Sequence, residues 1–265
     1  MSVHPLAAWS AAALFSSSAS AVGLSEVDRD ELAPGVTVVR YRTSSPTTDA
    51  WVATIDLCAD GIRLDATRTP SSTRSAASWG RDEGALLAVN GDFYRTSTVL
   101  VYGDAVGSGV RWPLDQTGLD GAYSGEWYYG DFGWVAFGAD WMDFAHTGWA
   151  QDRWDELGLS EGWAPGERLP DPPDDTLALV SGFPALVLEG VTVTCDEPTA
   201  SSCFRDRSDM RDRHPRTAIG FTEDRATLFL AVVDGRSSRS TGMYGTELAE
   251  ELHVGRNLFL LEYTG

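Results

Sequence analysis

The 265-residue chain is 43% hydrophobic with 27 glycines, which is enough apolar material for one sizeable core and unlike a disordered composition. Its formal charge of −19 disfavours nonspecific nucleic-acid binding, since a phosphate polymer is repelled at long range. All 20 basic residues are arginine, which excludes Schiff-base lysine chemistry and a Walker-type phosphate lysine. The histidines at 4, 146, 214 and 253 lack zincin spacing.

The chain opens with apolar Leu6 to Phe15 followed by Ala19-Ser20-Ala21, an A-x-A-like cleavage signal. Residues 1–21 therefore read as a secretory signal peptide without a basic n-region, and the apolar stretch is too short to span a bilayer. Residues 22–49 form a lead-in, and 50–265 the main domain. Gly35 to Tyr41, Trp51 to Leu57 and Arg63 to Thr67 read as strands, and Ser71 to Gly84 holds a short helix. Cys58 reads as a buried small hydrophobe. Ala85 to Val89 reads as a buried strand ending at Asn90-Gly91, with Asp92, Phe93 and Tyr94 beyond it; Asn-Gly by itself equally signals a turn.

Residues 103–177 form an aromatic-rich insertion that includes Trp112, Trp127, Tyr128, Tyr129, Trp134, Trp141, Trp149, Trp154 and Trp163. Most of these rings are expected in core and hairpin packing, although aromatic faces beside carboxylates also suit sugars. A short strand is expected over Trp134 to Gly138. Cys195 and Cys203 bracket a short loop that a disulfide would fix in an exported protein. Arg205, Arg207, Arg211 and Arg213, interleaved with Asp206, Asp209 and Asp212, read as a solvated, self-neutralising surface.

His214 to Leu252 concentrates the chemistry. Arg216 opens the strand Thr217 to Phe221, and the apolar run Thr227 to Val233 stops at Asp234-Gly235, where a carboxylate emerges at a strand's end. Asp-Gly is also a common turn pair. Arg236, Ser237, Ser238, Arg239 and Ser240 follow, with Gly235 and Gly242 allowing close backbone approach. Thr246 is the expected cap of a helix over Glu247 to Leu252, with Glu247 in its first turn. Leu258 to Leu261 reads as a last strand.

Five blocks in order, NGDFY (90–94), VSGFPALVLEG (180–190), HPRTAIGF (214–221), VVDGRSSRSTGM (232–243) and TELAEEL (246–252), resemble the phosphodiester glycosidase family. The resemblance implies hydrolysis of a sugar-1-phosphodiester, which needs phosphate recognition and stabilisation of an oxocarbenium-like transition state. It places Arg216 first for phosphate, with Arg236, Ser240 and Gly242 in support. Asp234 becomes the candidate nucleophile, general base or electrostatic stabiliser, with Asn90 as an amide donor. Asp92 is a second carboxylate at a position where the family more commonly has Gly. Family members continue from the last strand into an LDGGGSS-like, aspartate-bearing segment, whereas this sequence reads HVGRNLFLLEYTG, with Glu262 as the nearest acidic counterpart. The domain is thus expected to be incomplete at its C-terminus, and its activity impaired.

The expected fold is α+β, a mixed β-sheet core with few flanking helices, in a single domain carrying the aromatic-rich insertion. The expected protein is a secreted, periplasmic or cell-surface hydrolase acting on a phosphorylated glycan or sugar-phosphodiester. Its rivals are a noncatalytic binding module for phosphorylated cell-surface glycans and a structural envelope protein. The sequence requires no cofactor. Its Asp-rich loops could take calcium but lack complete EF-hand spacing, and no metal or oligomeric state is specified.

Overall fold

The structure is a computed structural model that describes residues 23–69, 74–94, 100–117, 133–146, 170–182, 185–192, 212–251 and 257–262. Its strands are β1 (Ser25–Ala33), β2 (Val36–Ser44), β3 (Thr47–Asp56), β4 (Val106–Gly107), β5 (Val110–Arg111), β6 (Gly133–Phe137) and β7 (Met142–Ala145). They continue with β8 (Ala178–Gly182), β9 (Ala185–Leu188), β10 (Val191–Thr192), β11 (Arg216–Phe221), β12 (Thr227–Val233) and β13 (Asn257–Glu262). The helices are α1 (Ala76–Glu83), α2 (Leu114–Thr117) and α3 (Gly245–Glu251).

Two sheets result: an eight-stranded one ordered β1-β2-β3-β12-β11-β13-β9-β10 and a five-stranded one ordered β5-β4-β8-β6-β7. Every pairing among the described strands is antiparallel, so the mixed sheet expected from the sequence is corrected. The apolar run of β12 reads as a buried strand, and it lies between antiparallel neighbours, β3 and β11, with both of its faces covered.

Alternation along β11 and β12 divides the core. Ile219, Phe221 and Leu228 pack with Val135, Phe137 and Phe144 of the second sheet. Ala218, Phe229, Ala231 and Val233 share the opposite layer with Met243 and with Leu248 and Ala249 of α3. Full burial of one such Leu, Ile or Phe side chain contributes about 1.5–3 kcal/mol, so the paired layers fix the register of both central strands.

The lead-in residues join this sheet: β1 and β2 form a hairpin whose second strand pairs with β3 over Val36 to Ser44. Strand β1 escapes a pattern reading because Ser25 to Leu32 are exposed on both faces and show no period-2 alternation. Helix α1 forms where expected. Ser75 caps it by accepting from the Ser78 amide at 3.2 Å, and Gly84 ends it at φ 68°, a left-handed conformation open to glycine.

Four expectations fail locally. Residues 62–67 and 85–91 are irregular rather than strands, and Leu86 is exposed. Cys58 is exposed in the turn after β3, where its amide is held by Asp56 Oδ1 at 2.9 Å. Helix α3 starts before Thr246: Tyr244 is its cap, and Glu247 reaches back to the Tyr244 amide at 3.1 Å.

Of the aromatic segment, Trp112 and Trp134 are buried, and their indole N–H groups donate to the Thr67 and Pro170 carbonyls. Trp127, Tyr128, Tyr129, Trp149, Trp154 and Trp163 lie outside the described residues, as do the signal sequence, Cys195 and Cys203.

Candidate functional site

The candidate residues collect at one end of the eight-stranded sheet, where β12 stops, β11 starts and β3 begins. Val233 pairs with Arg216 on one side and Ala50 on the other, so Asp234 leaves the sheet between β11 and β3. Asp234 is exposed; its Oδ1 accepts the Gly235 amide at 2.8 Å, the local Asp-Gly turn. Gly235 is required by contact, since a Cβ there would lie 2.5 Å from the Pro215 backbone nitrogen.

Asn90 and Asp92 tie the two sheets together at this end. The Thr217 hydroxyl donates to Asn90 Oδ1 at 2.7 Å, and the Ser181 amide of β8 donates to Asp92 Oδ1 at 2.5 Å. Asp92 holds φ 22°, which explains why glycine suits this position, and its carboxylate is engaged with the backbone of β8. Ser181 in turn donates its hydroxyl to the Asp104 carbonyl at 2.7 Å. Glu262 is the register partner of Thr217 in β13, which brings that position to the same end of the sheet.

The cations differ sharply in setting. Arg216 is 1% exposed, and its guanidinium donates to the Met243 carbonyl at 3.1 Å and the Asp212 carbonyl at 3.0 Å. Arg236 is exposed, sits at φ 56°, and donates through Nε at 3.2 Å to His214 Nδ1, with Nη2 at 2.9 Å from the same atom. A guanidinium has no acceptor, so Nδ1 accepts and the neutral His214 ring carries its proton on Nε2. Arg239 is exposed on the same loop, and its guanidinium has no ion-pair partner among the described residues.

Ser240 is fully buried. Its hydroxyl donates to the Asp234 carbonyl at 2.5 Å and accepts the Asp49 amide at 3.1 Å. Gly242 has φ 93°, and a Cβ on it would lie 2.3 Å from the His214 carbonyl oxygen. Its own carbonyl accepts from Arg213 Nη1 at 2.9 Å.

Arg213 corrects the solvated reading of its cluster: it pairs with buried Glu247 and covers the Tyr244 ring at 4.6 Å. Arg205, Arg207 and Arg211 lie outside the described residues. Burial pushes the Glu247 carboxyl above its ordinary range, against the Tyr244 amide and Arg213, which favour its charged form.

Sequence reading passed over Thr217, Ser181 and Asp49. Thr217 and Ser181 lie inside the HPRTAIGF and VSGFPALVLEG blocks, whereas Asp49 acts across a long sequence separation with no local signal. Asp49 is buried between Arg40, at 2.5 Å, and Arg42, at 2.8 Å. The Arg40 hydrogen bonds foremost hold its pKa down to about 2, with Arg42 adding to them against the opposing effect of burial. Among the described residues no group of three or more His, Cys, Asp or Glu side chains is placed to hold a metal ion. None of the described helices is long and apolar enough to cross a membrane.

The phosphodiester glycosidase family model matches residues 83–257, which take in every block of this end of the sheet from Asn90 to α3. The chain belongs to the phosphodiester glycosidase family. No curated protein sequence matches it.

Solved structures share the fold at low identity. A hypothetical protein from Synechocystis has TM-score 0.58 and 13% identity, over 91% of this chain and 58% of that one. The zebrafish N-acetylglucosamine-1-phosphodiester alpha-N-acetylglucosaminidase catalytic domain, auto-inhibited by its pro-peptide, has TM-score 0.56 and 16% identity, over 90% of this chain and 71% of that one. This phosphodiester glycosidase chain thus spans little more than half the length of the Synechocystis protein.

Proposed function

We propose that the protein is a secreted, periplasmic or cell-surface hydrolase that cleaves a sugar-1-phosphodiester with water into the free sugar and a phosphomonoester. Family membership supports the reaction class, and the observation that carries the site is the exposed Asp234 carboxylate at the end of β12, between β11 and β3. The bond broken joins the anomeric carbon to the phosphate oxygen, and the leaving phosphate takes the electron pair. Phosphate leaves well, so strong general-acid assistance is less necessary than for an alkyl glycoside. Asp234 serves as nucleophile, general base or electrostatic stabiliser of the oxocarbenium-like transition state.

Arg236 and Arg239 are the cations the loop offers to the phosphate, with the exposed Ser238 beside them. Arg216, with donors on two backbone carbonyls, holds the segments flanking the site. Asn90 offers its amide, oriented by Thr217.

A binding module for phosphorylated glycans is the second reading, favoured by one observation: the Asp92 carboxylate is taken up by the Ser181 amide, which leaves fewer carboxylates for chemistry. Incubation with a synthetic N-acetylglucosamine-1-phosphodiester, read by phosphorus NMR and calorimetry, separates the two. Release of a phosphomonoester supports the hydrolase, saturable binding without turnover supports the module, and neither result leaves a structural role.

A further inference from the structure

The loop that bears Asp234 is held by the start of β3. The Asp234 amide donates to the Asp49 carbonyl at 2.9 Å, the Asp49 amide donates to Ser240 Oγ at 3.1 Å, and that hydroxyl donates to the Asp234 carbonyl at 2.5 Å. These three bonds close a ring in which Ser240 is the only side chain. Next to it, Thr241 donates its amide and its hydroxyl to the Thr47 carbonyl at 2.8 and 3.0 Å, and Thr48 reaches the Gly242 carbonyl at 3.4 Å. Within the loop, Ser237 and Ser240 exchange backbone and hydroxyl bonds, so residues 237–240 form a turn with fixed ends. Strand β3 is anchored in turn by the Asp49 carboxylate, gripped by Arg40 and Arg42 of β2. All these β2 and β3 residues precede residue 83, where the family match begins.

We infer that Ser240 and Asp49 are positioning residues, through which the β2–β3 hairpin fixes Asp234 for the reaction proposed above. The inference rests on that hydrolase reading. Ser240 is buried and its hydroxyl is bound on both its donor and acceptor sides, so it acts on the carboxylate through main chain and not on substrate. A hydroxyl that joins two main-chain groups is replaced by nothing in Ser240→Ala, which leaves the Asp49 amide and the Asp234 carbonyl without this partner. A carboxylate displaced by even about 1 Å from productive geometry loses roughly 100-fold in rate.

The test is a double-mutant cycle on the full chain with the N-acetylglucosamine-1-phosphodiester, together with amide hydrogen exchange over residues 234–242. Ser240→Ala should lower kcat by roughly 10-fold or more with KM within about 3-fold, and should speed exchange of the loop amides. Combined with Asp234→Asn, it should add less than about 2-fold to the loss from Asp234→Asn alone, because both act through one carboxylate. Asp49→Asn, which keeps the backbone and weakens the arginine grip, should follow the same pattern with a smaller loss and serves if Ser240→Ala does not fold. Losses that multiply, or loop exchange unchanged in a folded variant, would overturn the inference. If the unmutated protein shows no turnover, the hydrolase reading fails, and the exchange measurement alone decides whether Ser240 fixes the loop.

Discussion

Arg216 and Thr217 are neighbours in β11 whose side chains leave opposite faces of the eight-stranded sheet. Arg216 bonds the carbonyl of Met243, in the layer that packs on α3, while Thr217 bonds Asn90 on the side of the second sheet. One strand thereby supports the site from both faces, and the arginine that a motif reading selects first for phosphate is the one with the least access to solvent.

That placement gives Arg216 a structural signature. Arg216→Lys cannot keep both carbonyl contacts with one ammonium group, so it should lower stability by about 1–3 kcal/mol. Chemical denaturation measures this. Arg239→Ala, by contrast, should leave stability within about 0.5 kcal/mol and raise KM for the phosphodiester. An Arg216→Lys protein of full stability with a raised KM would return the phosphate role to Arg216.

Asp92 should tolerate glycine better than alanine. At φ 22° a side chain is strained, and the Ser181 contact offsets it. Asp92→Gly is expected to keep turnover within about 3-fold, while Asp92→Ala should cost roughly 1–2 kcal/mol of stability. Thermal melts of the two variants check the order.

Gly242 admits no side chain. Gly242→Ala would force a Cβ to 2.3 Å from the His214 carbonyl oxygen at φ 93°, so the 234–242 loop must move. The expected loss is roughly 2–4 kcal/mol, with turnover falling in any protein that folds. Circular dichroism melts together with the phosphodiester assay test both parts.

Asp49 predicts acid sensitivity. Its folded pKa, about 2, lies below its ordinary value of 3.8, so its ion pairs stabilise the fold above the higher value. That contribution is lost as pH falls from near 4 through about 2. Asp49→Asn should therefore be less stable than the parent at neutral pH, with the difference shrinking across that window. A difference that stays constant down to pH 2 would remove the assignment.

Most of the central sheet, and β6 of the second sheet, are legible in the sequence, because β12 is an unbroken apolar run and β2, β3, β6, β11 and β13 carry enough strand signal to be placed within a few residues. What escapes has physical causes. Strand β1 is exposed on both faces and has no periodicity, and residues 85–91 are apolar enough to imitate a strand while their backbone bends to bring Asn90 to Thr217. The site's carboxylate and cations are visible as types beside Gly235 and Gly242. Their division into reactive and supporting groups is not, because it depends on which face of a strand Arg216 leaves and on Asp49, far away in the chain.

The most direct test is steady-state kinetics of the parent and Asp234→Asn proteins on the N-acetylglucosamine-1-phosphodiester, with folding confirmed by circular dichroism. Asparagine keeps the shape and the turn while removing charge and proton-accepting capacity. The account predicts measurable release of phosphomonoester by the parent and a kcat lower by roughly 100-fold or more in the variant, with KM little changed. Equal turnover by the two proteins would contradict it and reduce Asp234 to a turn residue.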